Sequence, residues 1–284
     1  MTRVGVVAKP DGVDVSIVRT LIEWLRSQGL TVSVEKETAD LVAELQPLSV
    51  RKADLPAQAD FLIVLGGDGT LLSVARTVGE LGVPILGVNV GDLGFLTATT
   101  LDEMLPALDT FLKGGMVIEE RMMLAARVVR NGALAGESLA LNDAVIMKSA
   151  MSRIINLSVG VEGQDATRYR ADGLIISTPT GSTAYCLSAG GPIVFPTMDA
   201  IILTPICAHT LTNRPIVLPG SHRVEVTLLS NQEAMLTVDG QVGFGLRQHD
   251  VVTVSRAAPR IRLVRFPQKH FFSVLRTKLK WGER

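Results

Sequence analysis

The sequence is short of cysteines, aromatic residues, net charge and long apolar runs, and each shortage excludes a class of protein. Only two of its 284 residues are cysteines, Cys186 and Cys207, which are too few for a disulfide framework. Neither lies in a CxxC pair, so both are expected to be reduced, buried thiols. The 28 basic and 28 acidic side chains balance, and aromatic residues make up 4%. This composition argues against a broad basic surface or an aromatic stacking platform for nucleic acid.

No apolar run approaches the ~18 residues that a membrane-spanning helix needs. Residues 1–10 also lack the apolar core and cleavage site of a signal peptide. The four histidines are scattered without the spacing of zinc ligands, so no residue is predicted to ligate a metal. We therefore expect a soluble, cytoplasmic protein that binds neither membranes nor nucleic acid. Its 47% of hydrophobic residues is typical of a globular chain with one large domain or two smaller ones.

The first hundred residues alternate between strand-like and helix-like patterns. Phe61–Leu65 is continuously apolar, as expected of a parallel strand buried on both faces, and Pro84–Val88 is similar. Two helical stripes have a spacing of three or four residues: Ile17, Leu21, Trp24 and Leu25, and then Leu101, Leu105, Leu108 and Leu112. A further helix is expected from Leu71 to about Glu80. This alternation predicts an α/β domain with a doubly wound parallel sheet over residues 1–113.

The pattern changes after Lys113-Gly114-Gly115. Segments become short, β-branched and alternating, which predicts a mostly β domain over residues 114–267. Turn residues separate them, as at Asn131-Gly132 and Asp239-Gly240. The tail, about 268–284, is basic and helix-like, and we expect it to pack back on the first domain.

The strongest chemical signal is the sequence GGDGT at Gly66–Thr70. It follows the strand Phe61–Leu65, and the carboxyl ends of strands are where open α/β sheets bind ligands. Its glycines would let the backbone approach a phosphate, and Asp68 would accept a proton or contact a magnesium-bound group. The alternative is a tight turn with Asp68 or Thr70 as the helix cap. The motif is neither a Walker A loop nor a dinucleotide fingerprint, and no GxSxG elbow is present.

Two further segments also follow predicted strands. Residues 89–96 carry Asn89 and Phe95, and the ring of Phe95 would cap a base or belong to the core. Residues 172–192 run from a strand into small hydroxyl residues, which suits recognition of a ribose, an amide or a purine edge. The alternatives here are an ordinary helix capped by Ser182, and a surface ion pair between Arg170 and Asp172.

Asn142-Asp143 is a fourth candidate, because an amide beside a carboxylate can bind vicinal hydroxyls through paired hydrogen bonds. The same pair is also common in turns. Asp239-Gly240-Gln241 is by itself more typical of a β-hairpin.

In this order the segments resemble those of bacterial NAD kinases over nearly the whole chain. The GGDGT element is shared with diacylglycerol kinases, sphingosine kinases and phosphofructokinases, so it indicates only the superfamily. The run STPTGSTAY at Ser177–Tyr185 is more specific to NAD kinases.

The resemblance implies roles for individual residues. Asp68 would accept the proton of the 2′-hydroxyl of the adenosine ribose, and Asn142 and Asp143 would bind ribose hydroxyls. The family often has Glu where this chain has Asp143, which is one methylene shorter. The other residues implied to bind the dinucleotide or ATP are Gly66, Gly67, Gly69, Thr70, Asn89, Phe95, Arg153, Arg170, Asp172, Thr183, Ala184, Tyr185, Ser188 and Gln241.

The implied reaction is transfer of a phosphoryl group from ATP to NAD, with a divalent metal, Mg²⁺, bound to ATP. A homodimer or homotetramer is also implied. Two alternatives stay open: a related kinase acting on a lipid or sugar, and a non-catalytic NAD(P) sensor.

Overall fold

Two units make up the fold in the computed structural model, which describes residues 2–149, 152–210, 212–267 and 269–281. One unit, here called the α/β unit, consists of Met1–Glu120 and Ile261–Arg284. The other, the β unit, consists of Arg121–Arg260. Among the described residues, no helix is long and apolar enough to span a membrane.

The α/β unit alternates strands and helices. Its strands are β1 (Arg3–Ala8), β2 (Thr31–Glu35), β3 (Ser49–Val50), β4 (Phe61–Leu65), β5 (Ile85–Asn89) and β6 (Thr99–Thr100). Its first helices are α1 (Val15–Ser27), α2 (Lys36–Ala39), α3 (Asp68–Val78) and α4 (Met104–Leu112).

The sheet of this unit is parallel, as predicted. Its central strands follow the order β2, β1, β4, β5, and each neighbouring pair runs in the same direction. From β1 the chain moves outwards to β2 and then returns to β4 on the other side, so the connections reverse direction between β1 and β4. The carboxyl ends of these two strands therefore form a topological switch point, where such sheets bind ligands.

Helix packing follows the apolar stripes with one correction. In α1 the buried residues are Val18, Leu21, Ile22 and Leu25, while Ile17 and Trp24 are only partly buried against the core. Helix α4 begins later than predicted and buries Met104, Ala107 and Leu108, whereas Leu112 is 37% exposed. The predicted leucine stripe was therefore wrong at its last position, because the buried face of this short helix starts from Met104.

The β unit contains the antiparallel part of the fold. Its elements are β7 (Val117–Arg130), β8 (Ala133–Ala140), β9 (Asp143–Lys148), β10 (Ile155–Val161), β11 (Gln164–Ala171), β12 (Gly173–Ser177), α5 (Tyr185–Ser188), β13 (Ala200–Ile206), β14 (Ile216–Pro219), β15 (Val224–Leu228), β16 (Ala234–Val238), β17 (Val242–Leu246) and β18 (Val251–Arg265). Strands β7 and β18 each cross the border between the units. The turns at Asn131-Gly132 and Asp239-Gly240 were predicted correctly, and all four residues have positive φ.

Two sheets enclose the core of the β unit. Strands β14, β13, β12, β9, β16 and β17 form one antiparallel sheet in this order. In the other, β11, β10, β15 and β18 pair in order, and β7 pairs with β8 and β18. Alternate residues of both sheets, such as Ile146 and Val226, share one hydrophobic cluster. The second face of β9 and β12 is also buried, by Cys186 and Val194 from the segment around α5.

The last element of the described residues is α6 (Phe271–Leu279), which buries Val274 and Leu275 within the α/β unit. Just before it, the ammonium group of Lys269 donates hydrogen bonds to the carbonyl of Ala98 and to the carboxylate of Glu103.

The two thiols differ in environment. Cys186 is buried as predicted, but Cys207 is exposed. Cys207 follows the end of β13 with a φ of +47°, so it lies in a turn at the surface rather than in the sheet.

Candidate active site

Asp68 lies in the first turn of α3, directly after β4. The helix begins three residues earlier than predicted, with Gly67 as its N-cap residue, so neither Asp68 nor Thr70 is the cap. The alternative interpretation of GGDGT as a capped turn therefore fails, and the carboxylate of Asp68 has other partners.

Those partners belong to the loop after β5. The carboxylate of Asp68 accepts hydrogen bonds from the backbone N–H groups of Phe95, Leu96 and Thr97 at 2.9, 3.1 and 3.0 Å. The hydroxyl of Thr97 donates a fourth at 3.0 Å. A Cβ on Gly94 would lie 2.1 Å from Oδ1 of Asp68, so only glycine leaves room for the carboxylate here. The structure thus joins the two strand-end loops that the sequence singled out.

Asn89 supports this loop from its first residue. The side chain is 4% exposed, and its Nδ2 donates to the carbonyl of Asp92 at 2.7 Å and to the hydroxyl of Thr97 at 2.9 Å. Its Oδ1 accepts the N–H of Gly91 at 2.6 Å. The predicted contact of Asn89 with a ligand stays a prediction, since both donor hydrogens are used within the loop.

A buried arginine, which the sequence did not point to, holds the same loop from β18. Arg265 donates from Nη2 to the carbonyl of Phe95 at 2.8 Å and forms an ion pair with Glu119 at 3.7 Å. Burial lowers the pKa of Arg265, while the negative charges of Glu119 and Asp68 act in the opposite direction. Phe95 is half-buried and makes these polar contacts with its backbone. Since 170 residues separate Arg265 from Phe95, no local pattern could have predicted the pair.

A cleft of about 330 Å³ opens at the switch point of the α/β unit. It is lined by Lys9, Pro10, Lys52, Gly67, Gly69 and Thr70. Two lysines, glycine backbone and the N-terminus of α3 are groups that attract phosphate. Lys52 also donates to the hydroxyl of Ser73 at 2.7 Å, which ties it to α3.

In the β unit, Asp239 organises the second group of candidates. Its carboxylate accepts the backbone N–H groups of Leu141, Asn142 and Asp143 at 3.0, 2.8 and 3.1 Å. The hairpin interpretation of Asp239-Gly240 is correct, but it missed this contact with a strand some hundred residues away in the chain. Gln241 lies in the same hairpin, where its N–H donates to the carbonyl of Val238 at 2.9 Å.

Asp143 is 5% exposed at the start of β9. Burial and the nearby charge of Asp239 raise the pKa of Asp143 to about 7. A buried carboxylate of this kind can gain hydrogen-bond donors, such as vicinal hydroxyls, that favour its charged form. Beside it, the side-chain oxygen of Asn142 is buried without a protein hydrogen-bond partner.

The hydroxyl-rich segment is fixed against these residues. Thr178 donates from Oγ1 to the carbonyl of Leu141 at 2.6 Å and accepts the N–H of Gly181 at 3.0 Å. A Cβ on Gly181 would lie 2.2 Å from the carbonyl oxygen of Asn142, so the two loops touch through their backbones. The structure therefore brings Asn142 and the start of this segment together.

Ser182 is not the predicted N-cap. The segment forms a short 3-10 turn over Gly181–Thr183 and then α5, which begins after Ala184. Ser182 is buried, donating to the carbonyl of Pro179 at 2.6 Å and accepting the N–H of Val194 at 3.0 Å. Tyr185 and Ser188 are exposed, and Thr183 and Ala184 half-buried, so all four are accessible to a ligand.

A larger cavity of about 860 Å³ lies near the other end of β9. Its lining includes the basic side chains of Lys148, Arg153 and Arg170 and the polar side chains of Asn156 and Gln248. Asp172 pairs with Lys148 at 3.7 Å and not with Arg170, which corrects the ion pair considered from the sequence. Three cations around one polar cavity suit an anionic ligand. Across the described ranges, no group of three histidine, cysteine or acidic side chains is arranged to hold a metal.

Comparisons with known proteins agree with this arrangement. Residues 4–116 match the model of the ATP-NAD kinase N-terminal domain and residues 141–266 that of the C-terminal domain. The chain is 51% identical to the NAD kinase of Geotalea daltonii, over 100% of both chains. It is 54% identical to that of Geobacter sulfurreducens, over 93% of each.

Two solved structures share the fold over almost the full chain. Yeast NADH kinase complexed with NADH superposes with a TM-score of 0.90 at 27% identity, covering 100% of this chain and 89% of that one. An NAD kinase from Archaeoglobus fulgidus in complex with ATP superposes with a TM-score of 0.77 at 25% identity, covering 98% and 99%. With both family domains matched along its length, the chain belongs to the ATP-NAD kinase family.

Proposed function

We propose that this chain transfers the terminal phosphoryl group of ATP to the 2′-hydroxyl of the adenosine ribose of NAD, producing NADP. The observation that carries the proposal is the carboxylate of Asp68, fixed at the end of β4 beside the cleft that contains Lys9 and Lys52. An acid at this position is unfavourable for phosphate binding alone, so its presence favours a reaction over a sensor.

The cleft at the switch point is the proposed site for the ATP phosphates. Lys9, Lys52 and the N-terminus of α3 offset the charge of a polyphosphate, and Gly67, Gly69 and Thr70 line the same cleft. No protein cage for a metal was found among the described residues. The divalent cation is therefore proposed to enter as MgATP, with water completing its coordination.

NAD is proposed to bind through the β unit. Asn142 and Asp143 would hold ribose hydroxyls, with the unpartnered oxygen of Asn142 as one acceptor. Thr183, Ala184, Tyr185 and Ser188 would hold the adenosine half. The cations Arg153 and Arg170 line the larger cavity and would bind the phosphates or the nicotinamide half of NAD. Asp172, which is paired with Lys148, would lie in the same region. Gln241 would lie near the end of the dinucleotide site.

The protein takes little covalent part in the transfer of the phosphoryl group. The ribose oxygen forms a bond to the γ-phosphorus while the bond to the bridging oxygen breaks and ADP leaves. The hydroxyl proton passes to the carboxylate of Asp68, which has one lightly bonded oxygen available for it. Positioning and charge neutralisation supply most of the acceleration, and proton transfer contributes about 10²–10⁴-fold.

Asp68→Asn tests the assignment. The amide cannot accept the proton, so turnover should fall by about 10²–10⁴-fold while NAD binding stays close to wild type. The melting temperature should fall as well, because the amide nitrogen would face a backbone N–H group that the carboxylate accepts. Asp102→Asn, which neutralises an exposed acid of the same unit, is the matched control. Near-normal turnover in Asp68→Asn would show that Asp68 is not the proton acceptor.

Substrate class is tested with a panel of acceptors and labelled ATP. NAD should become labelled, and NADH, a lipid and a sugar serve as competing acceptors, with polyphosphate as an alternative donor. Label on lipid or sugar and none on NAD would favour the related kinases, and no transfer to any acceptor would favour the sensor.

We further propose that the chain works as a homodimer or homotetramer built through the β unit. The edge strand β14 exposes Ile216 and Val217, which are 39% and 50% accessible. An edge strand has unpaired backbone N–H and C=O groups that can pair with another chain, and its exposed apolar side chains favour such a contact. Light scattering coupled to size-exclusion chromatography gives the mass in solution, and a monomer at working concentration would refute this.

A further inference from the structure

Thr97 has a hydroxyl whose surroundings fix both its position and its direction. The residue is fully buried, and its Oγ1 lies 3.0 Å from Oδ1 of Asp68 and 2.9 Å from Nδ2 of Asn89. A hydroxyl has one hydrogen to donate and can accept on the other side. Which neighbour receives that hydrogen decides what Thr97 does to Asp68.

The amide of Asn89 settles the direction. The N–H of Gly91 can only donate, so the side-chain atom of Asn89 that it meets must be the oxygen. The carbonyl of Asp92 can only accept, so the atom that it meets must be the nitrogen. That nitrogen has only hydrogens to offer Thr97, and the hydroxyl of Thr97 must therefore donate to Asp68. The hydrogen bonds run one way, from Asn89 to Thr97 to Asp68.

The two oxygens of Asp68 are consequently unequal. Oδ1 accepts three hydrogen bonds, from the N–H groups of Leu96 and Thr97 and from the Thr97 hydroxyl. Oδ2 accepts one, from the N–H of Phe95. A carboxylate oxygen can accept about two strong hydrogen bonds, so Oδ1 is saturated and Oδ2 retains a lone pair for a proton.

We propose that Thr97 is a positioning residue for catalysis: its hydroxyl, directed by Asn89, anchors Oδ1 of Asp68 so that Oδ2 receives the proton of the ribose hydroxyl. This inference rests on the proposed function of Asp68. It also gives Asn89 a role through Thr97. The charged groups facing Asp68 are Arg265 on β18 and, paired with that arginine, Glu119 on β7. Neither changes in the experiment below.

Thr97→Val tests the anchor, because valine keeps the shape of threonine and removes the hydroxyl. We expect kcat to fall about 10–100-fold, as for the loss of other orienting hydrogen bonds, with KM for NAD and ATP within about threefold of wild type. Thr97→Ser restores the hydroxyl and should recover most of kcat.

Thr204→Val is the matched control. Thr204 is also fully buried, and its hydroxyl has one hydrogen-bond contact, with the thiol of Cys186. This change should lower the melting temperature while kcat stays near wild type. Two results would overturn the inference: a kcat within twofold of wild type in Thr97→Val, or a Thr97→Ser variant as impaired as Thr97→Val.

Asn89→Asp provides a second test in case Thr97→Val does not fold. The aspartate keeps the acceptor for Gly91 but has no hydrogen for Thr97 or for the carbonyl of Asp92. The loop should therefore be less stable, and the Thr97 hydroxyl is drawn away from Asp68. We expect kcat to fall while KM stays near wild type, and an unchanged kcat would overturn the inference. An active Asp68→Asn enzyme would instead refute the proposed function, so the two failures are distinguishable.

Discussion

At the scale of single residues, space around Asp68 matters as much as its charge. The carboxylate occupies the volume that a side chain on Gly94 would need, and a Cβ there would also lie 2.5 Å from Oγ1 of Thr97. The atoms that must yield are the carboxylate of Asp68 and the hydroxyl of Thr97. A methyl group at position 94 should therefore displace the proposed catalytic group itself.

Gly94→Ala is expected to lower kcat about 100-fold, since a displacement of about 1 Å at the reacting group can have that effect. The cost in stability should be about 1–3 kcal/mol, as for other overpacked sites. Steady-state kinetics and thermal unfolding measure the two effects. Gly91→Ala is the matched control in the same loop, because nothing lies within 4 Å of its added Cβ. Equal kcat in the two variants would contradict the assigned position of Asp68.

Asp143 predicts a pH dependence of stability that differs from that of an ordinary surface acid. Its pKa in the folded protein is about 7, above the usual value of 3.8, because of burial and the charge of Asp239. The folded state therefore favours the protonated acid. The stability from this group is fully present below about pH 4 and is lost as the pH rises through about 7.

Asp143→Asn should remove this loss of stability at higher pH, because asparagine does not ionise. Relative to wild type, the melting temperature of this variant should rise between pH 4 and pH 7 and then level off. The corresponding gain in the free energy of unfolding is at most about 4 kcal/mol. Thermal unfolding across pH 4–8 gives the curve. Asp165→Asn, at an exposed position on β11, should show no such trend. A melting-temperature difference that does not change with pH would show that Asp143 is charged in the folded protein across this range.

The residues around both acids show what the sequence could and could not predict. Asp68 was predicted because its glycines and the strand before it form a local pattern. Its partner Thr97 lies 29 residues further on, and Asp239 reaches Asn142 across 97 residues. Such contacts depend on which strands become neighbours, and a single sequence does not contain that information.

At the scale of elements, the sequence predicted those with a clear period. Strands β4 and β5 and helix α1 agree with their apolar patterns, because burial on one face or two selects the residues directly. The start of α3 was placed too late, at Leu71, since Asp68-Gly69-Thr70 has the composition of a loop. In the structure the helix begins at Asp68, and the carboxylate of Asp68 bonds to the loop after β5, a tertiary contact that the local composition does not indicate.

The long strands β7 and β18 were also predicted only in part. Residues Leu124–Val129 and Val251–Val254 alternate cleanly, but the strands extend over Val117–Arg130 and Val251–Arg265. The missed portions lie where each strand crosses from one unit to the other. Their pairing partners change there, so the pattern of buried and exposed residues changes with them.

At the scale of the whole molecule, the α/β unit is assembled from two distant parts of the chain. Residues 261–265 of β18 pair with β5 at Leu263 and Ile85, and Val264 belongs to the core formed by the first hundred residues. The units divide inside β7 and β18 rather than at the change of composition near Gly114, so no linker in the sequence marks the border. The α/β unit is therefore completed only by the last part of the chain.

Leu263→Ala tests this dependence in the full chain. Leu263 is 1% exposed, and truncating a buried leucine costs about 2–5 kcal/mol. We expect hydrogen exchange to accelerate at β5, which pairs with β18 at Leu263, and at β4, which pairs with β5. Leu236→Ala, a fully buried residue of β16, is the matched control and should accelerate exchange in β9 and β17 instead. If Leu263→Ala left β4 and β5 protected, those strands would be stable without the end of the chain, and the first hundred residues would carry the fold of the α/β unit by themselves.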